Sequence, residues 1–135
     1  MTDQDDLLLL HHLRAQLSPD TERRRKTCEA LAESPGRAAG RVLGWALRRT
    51  VAVLQEDGRR PYRSGGSLGP NADEARVLRM IRAMSAGDEE TAEAEALFLV
   101  PRTGVSRLID RATPLTAFYS SAAVSAPRER CAATA

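Results

Sequence analysis

The sequence predicts an all-α protein, a compact bundle of five to six helices in two groups joined by a Gly/Pro-rich loop. Alanine (22 residues) and leucine (16) dominate its apolar side chains, while valine and isoleucine together number nine. That balance suits helices better than sheets. Apolar residues also recur at helical spacing in several segments. Most of those segments open on a polar cap or Ser-Pro and close on Gly or Pro.

A length of 135 residues fits one domain with a real core. Residues 1–124 are assigned to it and residues 125–135 to a disordered tail. The first helix is expected over Asp3 to Leu17, with acidic residues at its positive end. Leu10, Leu13 and Leu17 form its apolar face, widened by Leu7 to Leu9. Ser18-Pro19 reads as a cap followed by proline in the first turn, opening a second helix through Glu33. Its apolar face is thin, with Cys28 and Leu31 beside Ala30 and Ala32.

Ser34-Pro35 repeats the start signal and opens the best-defined helix, reaching Asp57 and closed by Gly58. Val42, Leu43, Ala46, Leu47, Thr50, Val53 and Leu54 fall on one broad arc at 100° per residue, with Arg37, Arg41, Arg48 and Gln55 opposite. Residues 58–71, GRRPYRSGGSLGPN, form the loop that divides the two groups. Asn71 or Asp73 then caps a fourth helix that turns Val77, Leu78, Ile81 and Met84 inward, and Gly87 ends it. A fifth helix starts at Asp88-Glu89-Glu90 and finishes in Ala96-Leu97-Phe98-Leu99-Val100 before Pro101. Because that run points in every direction, its end is expected to be deeply buried, with a short strand as the alternative. The sixth helix carries Val105, Leu108, Ile109 and Ala112, and Thr113-Pro114 kinks or restarts it toward Tyr119.

Composition narrows the function classes. Leu, Ile, Val and Phe make up about a fifth of the chain, a thin supply for a core, so close packing through alanine or a partner chain is expected to complete it. The net charge of +2 hides strong segregation: −4 over residues 1–22, +7 over 23–63, −4 over 64–100 and +3 over 101–135. Cys28 and Cys131 stand far apart, which implies neither a metal knuckle nor a disulfide framework. The start lacks the pattern of a secretion signal, and Arg37, Arg41, Arg48 and Arg49 interrupt the longest apolar region. A cytoplasmic protein without a membrane partner is the expectation.

No H-E-x-x-H, G-x-S-x-G or Walker lysine motif occurs, and no cofactor, metal or catalytic residue is expected. His11 and His12 are adjacent and point about 100° apart on a helix, a poor arrangement for one metal. Gly65, Gly66 and Gly69 near Arg59, Arg60 and Arg63 offer a weak phosphate-loop signal, but a helix precedes them where phosphate loops follow a strand. A flexible linker is the better reading.

Two features remain as candidates. Gly36, Gly40 and Gly44 recur every four residues in the third helix, and a helical glycine costs about 1 kcal/mol against alanine, so a neighbouring helix is expected to lie close to them. With Trp45, the sole tryptophan, they form the candidate helix-packing or interface set. Arg23, Arg24, Arg25 and Lys26 form the densest positive cluster and, with Arg37, Arg41 and Arg48, are the candidate nucleic-acid contacts. Four consecutive residues fan around a helix, however, and Glu22, Glu29 and Glu33 lie within pairing reach. The leading expectation is therefore a non-enzymatic interaction or regulatory protein that binds another protein or a copy of itself. A nucleic-acid-binding regulator is the alternative.

Overall fold

A computed structural model describes residues 4–33, 37–60, 62 and 69–119. These residues form six helices: α1 Gln4–Leu17, α2 Thr21–Glu33, α3 Arg37–Asp57, α4 Ala72–Ser85, α5 Glu89–Leu99 and α6 Arg102–Ala112. A 3-10 turn, Thr113–Thr116, follows α6 and leads into a last helical turn over residues 117–119. No strand occurs among the described residues, so the Ala96–Val100 run ends a helix. The expected start of α3 at Ser34-Pro35, Gly36, residues 61 and 63–68 of the loop and the proposed tail at 125–135 lie outside the described residues.

Caps explain where the helices begin. Asp20 Oδ1 accepts from the backbone N–H of Glu22 (3.0 Å) and Arg23 (3.4 Å), while Ser18 Oγ accepts from Asp20 N–H at 3.2 Å. The cap of α2 is thus Asp20, two residues beyond the expected Ser18, because its carboxylate reaches the first-turn donors directly. At α4, Asn71 accepts from Glu74 N–H (2.8 Å), and Glu74 Oε1 accepts from Asn71 N–H (2.9 Å), a reciprocal capping box. Gly87, at φ +79°, turns the chain from α4 into α5, whose cap Asp88 accepts from Thr91 N–H at 3.1 Å. Val100 is extended before Pro101 and closes α5.

Helix α3 is the hub. It lies against α1, α2, α6 and the 3-10 turn, while α4 pairs with α5 and α1 reaches across to α4. Leu9, Leu13, Leu47, Leu54, Met80, Ile81, Leu108 and Leu115 are fully buried and join one continuous core. The 58–71 loop therefore divides the sequence without dividing the core. Each such side chain contributes about 1.5–3 kcal/mol relative to exposure.

Polar ties fix the outer helices. Arg14 Nε and Nη2 donate to Glu74 Oε2 (2.7 Å) and Oε1 (2.9 Å), and Nη2 also donates to the Gly69 carbonyl at 2.9 Å. Glu74 is fully buried and holds α1 to the start of α4. Asp6 accepts from Arg82 Nη2 (3.0 Å) and from the Tyr119 hydroxyl (2.5 Å), joining α1 to α4 and to the last turn. Arg76 and Arg79 of α4 both reach Glu95 of α5, at 3.2 and 3.1 Å. Arg107 of α6 reaches Asp57 of α3 at 2.5 Å.

Several expected orientations are corrected. Leu7 and Leu8 share the solvent face of α1 with Gln4 and His11, so the inner face begins at Leu9. Val42 lies outside the buried arc of α3 at 48% exposure, and Val51 lies inside it. Phe98, expected to be buried, is 60% exposed, with the Arg76 guanidinium 3.6 Å from its ring centroid. Met84 is half-buried where Met80 is fully buried. His12, for which a helix-surface or interface position is the expectation of adjacent histidines, is instead buried, with the Phe118 ring 5.7 Å away.

Candidate functional site

Seven non-glycine residues of α3, Leu43, Ala46, Leu47, Thr50, Val51, Val53 and Leu54, are buried. Their side of the helix is fixed, and this fixes what the opposite side presents. Trp45 stands on that outward side at 47% exposure. On a helix its surface neighbours are the residues three and four positions away. Here these are Arg41, Val42, Arg48 and Arg49, so three guanidinium groups and one apolar side chain surround the indole. Arg41, Val42 and Arg48 are exposed, and the Arg49 guanidinium carbon lies 4.2 Å from the Trp45 ring centroid. Such a cation over an indole face is worth about 0.5–1 kcal/mol at an exposed site and holds the ring in one orientation.

The glycines beneath this face behave differently from the tryptophan. Gly40 and Gly44 are buried by the chain's own elements, and α2 lies along α3. Gly36 and the side chain of Arg37 are outside the described residues.

The basic run of α2 is divided. Arg25 is clamped by Glu22 and by Glu29, the latter at 2.5 Å, and these pairs hold its pKa above the usual arginine value. Arg24 donates to the Ser18 carbonyl and to Thr21 Oγ1 at 3.2 Å. Arg23 and Lys26 are exposed. Three of the four, Arg23, Arg25 and Lys26, face solvent, and Arg25 is already paired with Glu22 and Glu29, so the run is not one focused patch.

The negative counterpart lies on α5. Glu89, Glu90 and Glu93 are exposed. Glu89 and Glu93 border a cleft of about 410 Å³ with Met84, Ala92, Ile109, Thr113 and Thr116. Glu93 and Ile109 also border a second hollow of about 460 Å³ with Leu97, Arg102, Val105 and Ser106. The two lie side by side along α5 and α6, sharing Glu93 and Ile109, with apolar side chains within them and Glu89, Glu93 and Arg102 at their edges; together they are referred to as the α5–α6 groove. Sequence reasoning did not find this groove. Its only signal was Glu89 and Glu93, one helical turn apart, beside the apolar Val105 and Ile109.

The remaining titratable groups are structural in character. Burial, and next the neighbouring His11, push the His12 pKa down to about 4. Its Nδ1 has no hydrogen-bond partner. Burial likewise raises the Tyr62 hydroxyl, with Glu74 and Asp73 adding to the effect. Among the described residues no group of three His, Cys, Asp or Glu side chains is placed to hold a metal ion. No helix among them is long and apolar enough to cross a membrane. No family model, curated protein or solved structure matches the chain.

Proposed function

We propose that this chain is a non-enzymatic binding protein whose contact surface is the outward face of α3, and that its partner is a protein. One observation carries the reading: the half-exposed Trp45 is ringed by Arg41, Val42, Arg48 and Arg49. Tryptophan and arginine dominate the small set of residues that supply most interface energy. At 47% exposure, Trp45 can give up on docking about half of the roughly 150–250 Å² that an aromatic side chain presents. The three cations select a partner cleft that is apolar at its centre and acidic at its edge.

Nucleic acid is the competing partner. Its support is reduced by the commitment of Arg24 and Arg25 within α2, which leaves fewer cations for phosphate contacts.

Affinity capture from the native host with wild type and with Trp45→Asp, each with and without nuclease, tests the reading. The expected result is a protein retained by wild type, lost with Trp45→Asp and unaffected by nuclease. Equal retention by both proteins overturns the assigned surface. Retention abolished by nuclease overturns the protein reading in favour of nucleic acid. Because Trp45 is the only tryptophan, its fluorescence also reports docking directly: a blue shift accompanies burial of the indole.

A further inference from the structure

The α3 face and the α5–α6 groove carry opposite charge around apolar centres. The first is an apolar projection, Val42 and Trp45, within arginines 41, 48 and 49. The second is an apolar hollow, floored by Met84, Ala92 and Ile109, with Glu89 and Glu93 at its edge. A hollow of about 410 Å³ falls within the size range of sites that take up a single organic group. Both surfaces belong to one chain, on different helices.

Resting on the reading of α3 as a protein-binding face, we propose that the occupant of the groove is the Trp45 face of a second copy of this chain. The contact is head to tail: each copy offers one α3 face and one groove. Trp45 enters between α5 and α6, and Arg41 and Arg49 approach Glu89 and Glu93. Such a heterologous contact uses different surfaces on its two sides and so propagates into a ring or an open chain. Steering by opposite charge makes its formation fall with ionic strength. Glu89, Glu90 and Glu93 are the exposed carboxylates of α5, and the cations of the α3 face meet them with opposite charge.

A mixing experiment separates head-to-tail assembly from the alternatives. Trp45→Asp removes the projection and leaves the groove, while Glu93→Arg reverses the groove edge and leaves the projection. Both positions are solvent-facing on their helices, and circular dichroism verifies that each variant keeps its helix content. Analytical ultracentrifugation then reads mass. Wild type is expected to form assemblies that shrink as salt rises. Each variant alone is expected to associate at least about thirtyfold more weakly, the loss that a single hot spot brings. The mixture is expected to give a 1:1 dimer that grows no further, because only one intact face and one intact groove remain.

Glu89→Arg provides a second groove variant that should behave as Glu93→Arg does. Wild type that stays monomeric at low salt overturns the proposal, as do variants that assemble like wild type or a mixture that stays monomeric. The reading of α3 stands apart from these outcomes: a monomeric wild type that still retains a host protein through Trp45 refutes self-assembly and leaves the binding face intact.

Discussion

Replacing Glu74 tests the argument for how α1 is held. Its carboxylate is fully buried and accepts from Arg14 Nε at 2.7 Å, Arg14 Nη2 at 2.9 Å and Asn71 N–H at 2.9 Å. The same pairing raises the Arg14 pKa, chiefly through the hydrogen bond to Glu74. Glu74→Gln keeps the size of the side chain and an oxygen for Asn71, but leaves the Arg14 charge without its counterion. Breaking a buried pair in this way costs about 3–5 kcal/mol. The Arg14 side chain retains 17% exposure, so water recovers part of the loss and the cost falls to roughly 2–3 kcal/mol. Glu74→Ala also removes the half of the capping box that its side chain supplies and costs about 1 kcal/mol more.

For a chain of this size each kcal/mol shifts the melting temperature by about 3–5 °C. Glu74→Gln should therefore melt roughly 6–15 °C below wild type, and urea unfolding followed by circular dichroism gives the free energy directly. The double variant Arg14→Met/Glu74→Met removes both charges, and its stability should lie within about 1–2 kcal/mol of wild type. A Glu74→Gln variant that loses no more than about 1 kcal/mol would refute the reasoning, since a surface pair costs up to that much.

Three further perturbations follow from the geometry. His12 is neutral in the fold down to about pH 4, whereas an unfolded histidine takes up a proton near pH 6.5. Acid therefore favours the unfolded chain: the stability present above pH 6.5 should drain away between pH 6.5 and 4 by about 3 kcal/mol. His12→Phe should flatten that part of a pH series of urea titrations, and an unchanged slope would count against the buried neutral imidazole. Gly58→Ala should destabilise by about 1–3 kcal/mol in thermal melts, because the added methyl collides with the Leu54 carbonyl and comes within 2.9 Å of the Arg60 carbonyl oxygen. Tyr119→Phe removes a donor from the buried Asp6 and should cost about 1–2 kcal/mol, whereas an unaffected melting temperature would show that Asp6 does not need the bond.

The helices were legible because their punctuation is local. Asn71, Asp88, Gly87 and Pro101 each act on backbone groups within a few residues, and the structure finds helix boundaries at all four. Which side of each helix would be covered was harder to read. Val42 borders the apolar arc of α3, and Leu7 and Leu8 border that of α1; periodicity fixes the repeat but not how much of the arc a neighbour covers. Phe98 shows the same effect, stranded outside the core and capped by Arg76.

The pairings that lock the bundle were not legible at all. Arg14 meets Glu74 across 60 positions, and Asp6 meets Tyr119 across 113. Nothing in local sequence ranks one charged partner above another. The same holds for the candidate site. Trp45 stood out by its rarity, but its ring of arginines takes on meaning only once the buried side of α3 is known. The α5–α6 groove depends on the packing of two helices that sequence alone does not orient.

The ties between helices, Arg14 to Glu74, Arg82 to Asp6, Arg76 and Arg79 to Glu95, and Arg107 to Asp57, all take their positive charge from a guanidinium group. Reagents that acylate primary amines leave guanidinium groups intact, and Lys26 supplies the only side-chain amine in the sequence. Besides the α-amino group, a fluorophore, a biotin or a surface linker attached through that chemistry therefore reaches one side chain, exposed on α2. The protein can thus be labelled through its amines with the guanidinium groups of its internal electrostatic framework and of the Trp45 face chemically unaltered.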